Sequence, residues 1–149
     1  MKFRIATLAI GVWSIVALHS TLRAQQPSAQ TPRSVLDGVY TEEQTTRGAS
    51  IYVQECASCH GPTLDGVDDK GPPLSGTVFM ENWTGLTVGN VFERIRVSMP
   101  QDDPGRLASE RKVDVLAYML SVGKFPAGNT ELPREAQVLS QIRYESTKP

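Results

Sequence analysis

Two cysteines and a histidine fall within five consecutive positions, Cys56-Ala57-Ser58-Cys59-His60, and the chain of 149 residues has no other cysteine. The second histidine, His19, lies in an apolar N-terminal stretch of the kind that is removed on export. Any thiol or imidazole chemistry is therefore confined to one place. No second Cys/His group exists to complete a structural zinc site of four N/S ligands. No disulfide framework is available beyond a single Cys56–Cys59 pair. A Ser-His-Asp or Cys-His catalytic arrangement would have to recruit the same His60.

The N-terminus reads as an address. Lys2 and Arg4 precede an apolar run from Ile5 to Leu18, and Leu22-Arg23-Ala24 offers a cleavage site with a small last residue. A run of 14 residues is short for a span that needs roughly 20. The order basic, apolar, small is that of a secretory signal peptide, so residues 1–24 are expected to leave, with no stable membrane span afterwards. Lys2, Arg4 and Arg23 leave with them and no acid does, so fifteen basic against sixteen acidic residues becomes twelve against sixteen. A mildly acidic exported protein lacks the clustered basic surface that nucleic-acid binding needs. Residues 25–38, rich in Gln, Ser, Thr and Pro, read as a flexible linker.

The remainder reads as helices. Thr41 and Gln44 fit a capping box, followed by Gly48, Ile51, Tyr52 and Cys56 on one helical face. Thr87 opens a second helix with Val88, Val91, Phe92 and Ile95 as its buried stripe; Pro100 predicts its end near Val97 or Ser98. Ser109 is predicted to cap a third, with Val113, Leu116, Ala117, Met119 and Leu120 inward and Gly123 at the exit. A weaker fourth is predicted from Pro133, using Val138, Leu139 and Ile142. Residues 61–85 hold five glycines and three prolines and read as a loop region. A structureless loop that long needs an organiser. The expected fold is small, all-α and loop-rich, and short of core unless a large cofactor supplies it.

Cys-x-x-Cys-His is the attachment sequence of c-type haem. Cysteines at i and i+3 on a helical turn can reach the two haem vinyl groups, and the next residue is then placed to ligate iron. A zinc site falls short on ligand count. A thioredoxin-like redox pair belongs beside a strand-helix-strand unit, which is absent. A buried structural pair leaves the adjacent histidine unexplained. With His60 as the sole histidine of the mature chain, a second axial ligand would be methionine, from Met80, Met99 or Met119. Met119 suits core packing in the third helix, and Met80 follows His60 closely. Met99, held extended by Pro100, is the preferred candidate.

These segments, in this order, make residues 45–125 resemble class I c-type cytochromes. They are similar to the single-haem bacterial type accompanying quinoprotein dehydrogenases. The marks are Gly48-x-x-x-Tyr52, Cys56-Ala-Ser-Cys59-His60-Gly61, Gly71-Pro72-Pro73-Leu74-Ser75-Gly76, Ser98-Met99-Pro100 and Val113-Asp-Val-Leu116-Ala-Tyr118-Met-Leu120. The resemblance implies a cytochrome c domain at 39–123 around one haem c. It implies that Gly48 and Tyr52 pack the first helix against Leu116 and Tyr118. It also implies that a proline carbonyl, of Pro72 or else Pro73, receives the second nitrogen of His60. Leu74 would touch the haem face, and Trp83 with Arg94 or Arg96 would serve the propionates. Residues 124–149 would be an extension that wraps or docks.

The function implied is that of a periplasmic electron carrier and not an enzyme. It would take electrons from a dehydrogenase and pass them to an oxidase or another cytochrome. Two readings compete. One is a haem with an open sixth position and peroxidase-like or gas-binding activity; the other is a fixed haem subunit of a dehydrogenase complex.

Overall fold

The computed structural model describes residues 32–146. The apolar run, the cleavage site and most of the polar stretch lie outside the described residues. What is described is a small all-α fold with one two-stranded ladder. Strand β1 (Arg33–Ser34) leads into a 3-10 turn at Val35–Asp37. Helix α1 (Glu42–Glu55) runs directly into a single turn, α2 (Ala57–His60). Next come α3 (Gly76–Trp83) and α4 (Val88–Ser98), then α5 (Ser109–Val122) after a 3-10 turn at Pro104–Arg106. The chain closes with α6 (Ala136–Leu139) and β2 (Ile142–Arg143). Among the described residues, no helix is long and apolar enough to cross a membrane.

Helices α1 and α5 are the main packing pair. The cap of α1 is half of what its sequence predicts. Thr41 Oγ1 accepts from Gln44 N at 3.2 Å, and Glu42 and Glu43 place negative charge at the positive end of the helix dipole. The Gln44 side chain does not return to the cap, however. It forms two bonds with the backbone of Leu132, donating to its carbonyl at 3.1 Å and accepting from its N–H at 2.8 Å. Long-range pairing wins because both Leu132 groups are otherwise buried without a partner. Gln44→Ala is therefore expected to cost about 2–3 kcal/mol in urea unfolding, more than loss of a helix cap.

At the α1–α5 crossing, Gly48 lies against the backbone of Asp114; a Cβ there would sit 1.9 Å from the Asp114 carbonyl oxygen. That contact brings Tyr52 and Tyr118 to a ring-centroid distance of 5.4 Å, with Leu116 fully buried beside them. Val113, Ala117, Met119 and Leu120 are buried as their spacing predicts. Ser109 does not cap α5, because it is the first helical residue and Ala108 holds the cap position without a side-chain bond.

Two expectations are corrected outright. The 61–85 segment is not loop throughout. It contains α3, which after its first residue Gly76 runs Thr77-Val-Phe-Met-Glu-Asn-Trp83 without a further Gly or any Pro. Phe79 anchors this helix, stacking on Trp83 one turn ahead at 5.9 Å and edge-on to Tyr144 at 6.1 Å. The partner from residue 144 is invisible to local periodicity. Likewise the predicted fourth helix shrinks to one turn, Ala136–Leu139, leaving Val138 41% exposed. Ile142 instead joins β2, where it pairs with Arg33 in a parallel ladder.

The segments flanking residues 39–123 send their described parts into the same core. Ser34 and Val35 are buried on the N-terminal side; Phe125, Leu132, Leu139, Ile142 and Tyr144 are buried on the other. Tyr144 exchanges backbone bonds with Gly85 and Leu86, both at 2.9 Å. The tail thereby holds the junction between α3 and α4.

Candidate haem site

Helix α1 breaks at Cys56, whose φ and ψ of −126° and −34° leave the helical region. The chain then takes one further turn. Cys59 N and His60 N both donate to Cys56 O, at 3.1 and 3.0 Å. That turn brings Cys56, Cys59 and His60 to the wall of one cavity of about 940 Å³. Tyr52 Oη donates to Gly61 O at 2.6 Å, which ties the residue after His60 back to α1.

His60 is 7% exposed, and its Nδ1 lies 2.8 Å from Pro72 O. A carbonyl oxygen only accepts, so Nδ1 carries the proton and the lone pair is on Nε2. That is the tautomer an iron ligand requires, with ring orientation set by its outer partner. Of the two prolines that the sequence left open, Pro72 makes this bond. Gly71 is a residue whose role the motif reading passed over. A Cβ at Gly71 would come within 2.8 Å of Cys59 O and 3.1 Å of His60 Nδ1, so only glycine lets the loop carrying Pro72 approach the ring. The Gly-Pro pair in Gly71-Pro72-Pro73-Leu74 was the available signal.

Cys56 and Cys59 are not joined to each other in a disulfide. Burial pushes the Cys56 thiol up to about 11, with the neighbouring Glu55 carboxylate adding to the effect. A catalytic redox thiol needs the reverse, an electropositive setting that lowers its pKa. Among the described residues, no group of three His, Cys, Asp or Glu side chains could hold a metal ion.

The three methionines part company. Met99 stands just past the last turn of α4 in extended backbone, φ −129° and ψ 139°, and lines the cavity. Met119 also lines it, from the packed face of α5. Met80 is not in the cavity wall and packs half-buried against the core. Leu74 and Trp83 reach the cavity; of the two arginines only Arg94 does so. Arg96 points away into a two-bond ion pair with Glu93, at 2.6 and 2.7 Å. The sequence reading did not foresee the rim pair in which Arg106 joins Glu55 at 3.1 Å and also meets Asp102.

The donor set fits a c-type haem. The cavity lies at the upper end of the size range of cofactor sites, ~300–1,000 Å³. It has apolar walls from Phe79, Val91, Ile95 and Val115, a thiol pair at one edge and an oriented imidazole. Cys56 and Cys59 would hold the group covalently and His60 would ligate its iron, which supplies one-electron redox chemistry when bound.

Comparison with known proteins agrees. The family model described as cytochrome c oxidase, cbb3-type, subunit III matches residues 43–119, just over half of the chain. Curated relatives are the proteins named cytochrome bc1 complex cytochrome c subunit from Mycobacterium bovis and Mycobacterium tuberculosis, each 26% identical over 121 residues. The alignment covers 80% of this chain but 42% of the relatives, so the chain spans less than half the length of the relatives it matches. From α1 through the oriented His60 to α5, this chain is a class I c-type cytochrome, belonging to the family of cytochrome c oxidase, cbb3-type, subunit III.

Proposed function

We propose that the protein is a periplasmic carrier of single electrons on one c-type haem, attached through Cys56 and Cys59 and ligated by His60 and Met99. The observation that carries this reading is the 2.8 Å contact between His60 Nδ1 and Pro72 O beside the cysteine pair in the cavity wall. It commits the imidazole to one tautomer before any metal arrives. The two cysteines of this sequence support a single haem. Met99 is favoured over Met80 because the cavity excludes Met80, and over Met119 because Met119 sits in the packed face of α5. Export rests on the basic-apolar-small order of residues 1–24.

The protein's task is positional. Cys56 and Cys59 would hold the cofactor, His60 and Met99 would ligate its iron and the apolar walls would exclude water, while the group itself would supply one-electron redox chemistry. A dehydrogenase on the donor side and an oxidase or another cytochrome on the acceptor side are the expected partners. The names of the relatives, a bc1 complex subunit and an oxidase subunit family, favour a place in a respiratory chain. They also favour a second reading, a fixed haem subunit of such a complex.

The test is an absorption spectrum of the exported protein, oxidised and reduced, with pyridine haemochrome analysis. One haem per chain, not extracted by acidified organic solvent and low-spin in both states, is expected. Cys56→Ala with Cys59→Ala should release the haem to extraction. A high-spin ferrous spectrum that binds carbon monoxide at once would overturn His/Met ligation in favour of an open sixth position.

A further inference from the structure

Lys112 is 2% exposed, an unusual place for an ammonium group. It stands on the first turn of α5 and is satisfied by two backbone carbonyls rather than by a carboxylate. Its Nζ donates to Arg96 O at 2.9 Å and to Pro104 O at 2.7 Å. Both acceptors have a meaning in the chain. In an α-helix, the carbonyl of residue 96 accepts from the N–H of residue 100, but residue 100 is proline and has none. The proline that holds Met99 extended thus leaves a carbonyl without its helical partner in the last turn of α4. Lys112 fills that position, and its charge suits the negative end of the helix dipole. Pro104 lies on the far side of Met99, at the start of the 3-10 turn Pro104–Arg106. One buried ammonium therefore bonds chain on both sides of residues 97–103.

We infer that Lys112 is a positioning residue for the sixth ligand, its two carbonyl bonds clasping the segment that carries Met99 to the cavity. The inference rests on Met99 being that ligand. Met99 itself makes one backbone bond as helix cap, from its N–H to Ile95 O at 3.0 Å, and Pro100 can make none through nitrogen. The clasp supplies the constraint that this segment lacks. Without it, the Arg96 and Pro104 carbonyls would lose their shared donor, and the segment would relax toward water.

The experiment uses the full-length haem-loaded protein with Lys112→Met, which keeps side-chain length and removes charge and donors. Added imidazole competes with Met99 for ferric iron, so its apparent affinity reads the fraction of molecules whose sixth position is open. The variant is expected to bind imidazole about tenfold more tightly, the size of one lost hydrogen bond from a charged donor, and to lose part of the sulfur-to-iron absorption. Parental affinity and absorption, even with a lowered melting temperature, would show a purely structural lysine and overturn the proposal. Lys112→Gln, which shortens the reach and removes the charge, is read in the same way should the methionine variant fail to assemble. Met99→Ala is measured alongside. If it leaves the sulfur band untouched, the ligand assignment falls and the clasp with it. If it abolishes the band while Lys112→Met leaves imidazole binding parental, only the clasp falls.

Discussion

Gly48→Ala is expected to be strongly destabilising, although alanine is the better helix former by about 1 kcal/mol. Gly48 lies mid-helix in α1, and its added Cβ would meet the Asp114 carbonyl oxygen at 1.9 Å and the carbonyl carbon at 2.5 Å. Both are backbone atoms of α5, so no rotamer change relieves the clash. The helices would have to move apart along the contact that orders Tyr52, Tyr118 and Leu116. Overpacking that side chains can partly absorb costs 1–3 kcal/mol; against rigid backbone, at least ~3 kcal/mol is expected. Single domains have about 5–15 kcal/mol in total. Urea unfolding of the exported protein measures the loss. Gly105→Ala is the matched control, because its Cβ would meet only the Asp103 carboxylate at 3.2 Å. Equal stability of the two variants would sink this account of the α1–α5 crossing.

Met99→Ala is expected to produce the largest functional change. The sulfur-to-iron absorption of the oxidised protein should disappear, and added imidazole or carbon monoxide should bind without a competing ligand. Methionine as axial ligand raises the reduction potential. Its removal should therefore lower the potential, by on the order of 0.1 V within the ~0.8 V range that axial ligands span. The fold should survive, since Met99 is half-buried at a helix end rather than in the core. Met119→Leu and Met80→Leu should leave the absorption in place. An unchanged band in Met99→Ala, or its loss in Met119→Leu, would reassign the ligand.

The chemistry of the site was legible because it is local. Cys56, Cys59 and His60 occupy one helical turn, so their spacing alone places them together, and the extended backbone imposed by Pro100 on Met99 acts across a single peptide bond. The end of α4 at Ser98 was legible for the same reason. Pro72 was legible only as a choice between two prolines. The carbonyl that meets His60 Nδ1 depends on how closely Gly71 lets the chain approach.

The errors share a cause. Gln44 turned from its own cap to Leu132, 88 residues away. Phe79 made a helix out of an expected loop by finding Tyr144, and Ile142 left an expected helix to pair with Arg33. Each involves a partner far along the chain, which no 3.6-residue pattern encodes. The clasp at Lys112 was missed likewise. Its signal was a lysine one residue before the apolar position Val113, indistinguishable in sequence from a solvated one.

By itself the sequence determined the all-α character and pointed to the cofactor class, because helical periodicity and the Cys-x-x-Cys-His turn are properties of neighbouring residues. Only the tertiary structure decided which proline orients His60 and which methionines can reach the cavity. It also decided that residues 124–146 belong to the core, with Leu132, Leu139 and Tyr144 each at most 3% exposed. Those outcomes depend on which buried polar and apolar groups meet across the fold, and burial is settled only when the whole chain has packed.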